Sequence, residues 1–188
     1  MAEFTLAPPG PGRGSGGTIG TMLVLGGARS GKSAYAERIV LESAAAALYI
    51  ATGAPGDAEM AERIRRHRAG RGDAWTTLEE PVDLCGALTR SARADRPILV
   101  DCLTLWLSNL MQVGADIATE TGRLTELLPR LGSPVVLVAN EVGLGIVPDN
   151  ALARAFRDHA GRLNQAVAAA VDAVVFIAAG LPLRLKPR

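Results

Sequence analysis

The 188-residue chain is short of several things, and each shortage removes a class of function. It has two cysteines, Cys85 and Cys102, with neither the dense even spacing of a secreted disulfide framework nor a CxxC metal pattern, so a reducing cytoplasmic setting is expected. Aromatic residues make up only 4% and the formal net charge is +1, which leaves no broad basic surface with interleaved stacking rings for nucleic acid. Charged residues, Gly or Pro interrupt every apolar run before it reaches the length of a membrane span, so no membrane insertion is expected. Lysine occurs twice, at Lys32 and Lys186. Neither follows an Asn in the Asn-Lys-x-Asp segment with which GTPase switches read guanine, so a switch that acts by binding partners is disfavoured.

What is present is an alternation of short apolar runs and helical patterns, the signature of a mostly parallel, open α/β sheet with helices on both faces. Strands are expected at 22–25, 48–51, 75–78, 98–101, 135–140 and 173–179, with "LRLK" as a further edge strand. Helices are expected near 31–44, 57–69, 81–94, 103–113, 117–130 and 150–171. Residues 1–21, rich in Gly and Pro, read as a disordered leader, and 22–188 as one domain of ordinary size. Ligands of such sheets bind beyond the carboxyl ends of the strands, so function is sought there.

"GGARSGKS", Gly26 to Ser33, has the spacing G-x-x-x-x-G-K-[ST] between an apolar strand and a helix. Its glycines let successive backbone N–H groups converge on an anion, and the helix adds its positive amino end. Lys32 is expected at the β and γ phosphates and the Ser33 hydroxyl at Mg²⁺. "ILVDC" delivers Asp101 from a strand end as the second oxygen ligand of the metal's water shell. "VVLVAN" places Asn140 and Glu141 at another strand end, as turn formers or as ligand-facing groups.

"RIRRHRAGR", Arg63 to Arg71, sets five arginines around His67. With Asp57 as N-cap, Met60, Ile64 and His67 share one helical stripe, so the imidazole faces the protein. It is then either a satisfied core residue or, beside Arg68 and Arg71 in the same cleft as the cradle, a nucleophile toward phosphorus. The arginines are matched by Glu59, Glu62, Glu79 and Glu80, which argues against nucleic acid. His159, inside a long helix, is read as structural.

Taken in order, "GGARSGKS", "YIATG", "RIRRHRAGR" leading to "WTTLEEP", "VDCLTLWLSNL", "NEVGLGIVP" and "FRDHAGRLNQ" resemble the bifunctional adenosylcobinamide kinase / adenosylcobinamide-phosphate guanylyltransferase family of cobalamin biosynthesis, from Met22 to about Lys186. The resemblance implies a cytoplasmic homotrimer that phosphorylates adenosylcobinamide with ATP or GTP. It then transfers GMP from GTP to adenosylcobinamide phosphate, releasing pyrophosphate. It puts the family's guanylylated histidine on His67, which with Lys32 of the phosphate loop makes up the expected catalytic pair. Its nucleotide contacts fall on Gly26, Gly27, Ala28, Arg29, Ser30, Gly31, Lys32 and Ser33, on Ala51, Thr52 and Gly53, on Arg68, Ala69, Gly70 and Arg71, and on Glu79 and Asp101. Gly72 stands where the family pattern often has Pro, which loosens the segment after Arg71, and the leader has no counterpart in the pattern. A small-molecule kinase in which His67 is only structural is the competing reading, and it predicts no covalent nucleotide.

Overall fold

The computed structural model describes residues 5–6, 18–53 and 72–187. Two short strands, β1 (Thr5–Leu6) and β2 (Thr18–Ile19), pair in parallel. Among the described residues the main sheet has seven strands: β3 (Thr21–Gly26), β4 (Ala47–Ala51), β5 (Trp75–Glu79), β6 (Ile98–Asp101), β7 (Val135–Asn140), β8 (Ala173–Ala178) and β9 (Leu181–Lys186). Their spatial order is β5-β4-β6-β7-β3-β8-β9, all parallel except β9, which runs back against β8. The α/β expectation holds, and each expected strand is present within a residue or two.

Parallel strands covered on both faces have to be apolar on both, and β3 and β7 show why. Leu23, Leu25, Val135, Leu137 and Ala139 join one core cluster while Met22, Val24, Val136 and Val138 join the other. The first cluster is closed by α2 (Leu84–Ser91), α3 (Leu103–Gln112), α4 (Ile117–Leu127) and α5 (Ala151–Ala170), the second by α1 (Lys32–Ser43) through Ala36, Ile39 and Val40. The expected helix over 57–69 lies outside the described residues.

Helix ends follow local chemistry more closely than hydrophobic periodicity does. Instead of beginning at Pro81, α2 starts after Asp83, whose carboxylate accepts from Gly86 N at 3.0 Å. The helix expected over 117–130 ends at Leu127, and a 3₁₀ turn, Leu128–Arg130, carries Pro129 past the break. β3 begins one residue before the expected domain start. Thr21 is buried there and tied down by Asp172, which accepts from Gly20 N at 3.1 Å and Thr21 N at 2.9 Å.

Candidate active site

The loop from Gly26 to Ser33 leaves β3 and enters α1, the arrangement its spacing demands. Arg29 and Gly31 both take positive φ, 57° and 94°, so the backbone reverses tightly and Gly31 stands immediately before the first helical residue. Gly26 is required by close approach: a Cβ there would lie 2.5 Å from Ser30 Oγ and 2.7 Å from the Ile177 carbonyl oxygen. Lys32 is buried at the helix start and donates from Nζ to the Gly27 carbonyl at 3.1 Å, so its ammonium bridges back over the loop. Two neighbours brace this curl. Glu141 N donates to Gly26 O at 3.1 Å, and Gly180 N, in the β8–β9 turn, donates to Ser30 O at 2.8 Å.

The sheet register brings the other described residues to the same edge. Glu79 pairs with Ala51, Ala51 with Asp101, Asp101 with Val138, and Val138 with Val24, one continuous row ending just before the cradle. Asp101 therefore sits at the carboxyl edge, but β7 separates its strand from β3. Asn140 is the residue opposite Gly26, so the strand-end amide stands closer in register to the cradle than Asp101 does. Its backbone N–H is held by Thr104 Oγ1 at 2.7 Å and its carbonyl accepts from Asn164 Nδ2 at 3.3 Å.

Asp101 is positioned by a residue that sequence reasoning passed over. Tyr49, buried in the middle of β4, donates its hydroxyl to Asp101 Oδ2 at 2.5 Å. A buried Tyr in a parallel strand needs a partner for its O–H, and that requirement was the available signal in "LYIA". Thr52 is pinned on three sides: its hydroxyl donates to Cys102 O at 2.7 Å and accepts from Cys102 N at 2.8 Å, while Asn109 Nδ2 donates to its carbonyl at 2.7 Å. The loop after β4 thus leaves the sheet from a fixed point. Burial, with the Asp101 charge second, pushes the Cys102 thiol up to about 11, so it stays protonated beside these groups.

Of the residues singled out from sequence, Gly26 to Ser33, Ala51 to Gly53, Glu79 and Asp101 share this edge. His67 and Arg68 to Arg71 lie outside the described residues. His159 is on α5, as expected for a helical residue.

The family model for cobinamide kinase / cobinamide phosphate guanyltransferase matches residues 22–185. This chain belongs to that family. This chain also covers nearly the whole length of the curated relatives it matches. The bifunctional adenosylcobalamin biosynthesis protein CobP of Pseudomonas aeruginosa is 50% identical over 166 residues, covering 87% of this chain and 96% of the relative. CobU of Escherichia coli K12, under the same description, is 40% identical over 180 residues, covering 88% and 99%. Solved structures share the fold at low identity. The flagellar accessory protein FlaH of Methanocaldococcus jannaschii superposes with a TM-score of 0.55 at 13% identity over 96% of this chain and 87% of its own. An ATPase of a bacterial type III secretion system gives 0.54 at 14% identity over 88% and 57%. Membership in the cobinamide kinase / guanyltransferase family thus accounts for the P-loop cradle and for the nucleotide chemistry expected of it. No described helix is long and apolar enough to cross a membrane.

Proposed function

We propose that the chain carries out two successive transfers on one substrate: phosphorylation of the adenosylcobinamide hydroxyl by ATP or GTP, then attachment of GMP from GTP to that phosphate. The observation that carries this reading is the convergence of a braced, lysine-bearing phosphate cradle and Asp101 on one sheet edge, in a chain of this family.

In the kinase step the cradle's N–H groups and Lys32 hold the β and γ phosphates, and the substrate hydroxyl oxygen attacks the γ phosphorus as the bond to the β–γ bridging oxygen breaks, releasing ADP or GDP and the hydroxyl proton to solvent. In the second step an imidazole nitrogen of His67 attacks the α phosphorus of GTP. The α–β bond breaks and pyrophosphate leaves. A phosphate oxygen of adenosylcobinamide phosphate then displaces His67, breaking the N–P bond and forming the new P–O–P link. Arg68 and Arg71 offset charge on the departing pyrophosphate, with Ala69 and Gly70 between them as backbone contacts, while Thr52, Gly53 and Glu79 border the nucleotide.

Mg²⁺ fits the donor set, which is oxygen only: the Ser33 hydroxyl one residue into α1 and the Asp101 carboxylate oriented by Tyr49. Among the described residues no cluster of three His, Cys, Asp or Glu offers an all-protein metal cage. A hard cation sharing its ligands with substrate phosphates matches such a sparse set, and when bound it neutralises phosphate charge. A cytoplasmic homotrimer completes the reading.

The test is GTP labelled in the α phosphate. With Mg²⁺, acid-labile and alkali-stable label should remain on the denatured protein and vanish in His67→Ala. Active protein without label would support the simple kinase instead.

A further inference from the structure

Beyond β7 the chain runs through "EVGLGIVPDN" before α5 begins, and this loop inverts the usual rule for exposed segments. Val142, Leu144, Ile146 and Val147 are all exposed, Leu144 by 84% and Ile146 by 97%, and no charged side chain interrupts the run from Val142 to Pro148. Exposed apolar residues scattered singly need no explanation, but a contiguous crest beside a ligand cradle does.

The loop is anchored at both feet. On the near side Glu141 N bonds Gly26 O, and the Glu141 carboxylate accepts from Gly143 N. On the far side Arg154 donates to the carbonyls of Pro148 at 3.0 Å and Asp149 at 2.7 Å, and Asn150 caps α5 by accepting from Ala153 N at 2.7 Å. A crest held this way keeps its apolar side chains exposed, starting one residue after the contact with the first glycine of the cradle. It is continuous with the phosphate loop through a single hydrogen bond, whereas Thr52, Glu79 and Asp101 on the same edge are polar.

We propose that the Val142–Val147 crest is the platform on which the corrin macrocycle rests while its side-chain hydroxyl reaches the γ phosphate. This rests on the functional reading above. The acceptor's reacting group must come to the cradle, and the rest of so large a molecule has to lie on an adjoining surface. A macrocycle with broad hydrocarbon faces, rimmed by amides, suits an apolar loop, and neither the phosphates nor the ribose of a nucleotide does. Leu144 and Ile146 are accordingly specificity-determining residues for the acceptor.

The experiment is steady-state kinase kinetics on the full-length protein with cobinamide and ATP, comparing wild type with Leu144→Ser/Ile146→Ser. The expected result is a corrinoid KM raised at least about tenfold, the factor that about 1.4 kcal/mol of lost binding produces. The ATP KM and the mass in solution by light scattering should not change, and Leu144→Met/Ile146→Leu should restore the wild-type corrinoid KM. Val113→Ser, equally an exposed apolar residue at 62% but beyond the far end of α3, serves as the control and should leave every value unchanged. An unaltered corrinoid KM overturns the proposal. So does a fall in molecular mass, which would make the crest a contact between copies of the chain, or a matching rise in the ATP KM. Wild-type protein that neither phosphorylates nor binds cobinamide in equilibrium dialysis would defeat the functional reading itself, a result separable from failure of the loop.

Discussion

Gly26 shows how one missing methyl shapes the site. Its ideal Cβ would collide with a backbone carbonyl on β8 as well as with Ser30 Oγ, and only the side chain could move aside. Gly26→Ala should therefore displace the loop from β8 and weaken nucleotide binding at least about tenfold, readable by calorimetric titration, with a stability loss of about 1–3 kcal/mol from overpacking. Gly27, which has nothing within 4 Å of its ideal Cβ, should accept Ala with a far smaller loss of stability. The spacing of the motif makes Gly26 a fixed position and Gly27 a variable one, but it does not say what Gly26 avoids. The neighbour contributed by β8, remote in the chain, supplies that reason. The same holds for Tyr49, whose role depends on β4 and β6 being adjacent, an arrangement that the order of strands in the sequence does not dictate.

At the scale of elements, the sequence foretold strands better than helix ends. A strand buried on both faces is written as an uninterrupted apolar run, as in "VVLVAN", and is legible without knowing its neighbours. Helix limits depend on which side chain caps which N–H. Asn150 is the clearest case, because its cap fixes both the start of α5 and the far foot of the apolar crest. Asn150→Ala should cost about 1 kcal/mol, seen as a fall of about 2–4 °C in Tm, while Asn150→Asp should retain most of it. Hydrophobic periodicity also indicated α2 too early, since Pro81 and Val82 belong to the turn that Glu80 Oε1 organises by accepting from Val82 N and Asp83 N.

Over the whole molecule, the two cysteines bind stability to pH. Burial raises Cys85 and Cys102 to about 11 from an ordinary 9.0. Below pH 9 folded and unfolded thiols are both protonated and the stabilisation is fully present. Between 9 and 11 the unfolded chain loses these protons first, so stability must fall across that window. Denaturant midpoints at pH 8 and 10.5 should differ more for wild type than for Cys85→Ala/Cys102→Ala. The strand order, which interposes β7 between the cradle and Asp101, has no trace in the sequence, because periodicity marks strands without ranking their neighbours. The brace from Gly180 to Ser30 carries a last implication, for time rather than space. The cradle's motif is made early in synthesis, yet the turn that clamps it arrives only with the β8–β9 hairpin. A partly made chain thus holds a cradle without this brace, and the loop takes its final shape only once the last hairpin of the sheet is in place.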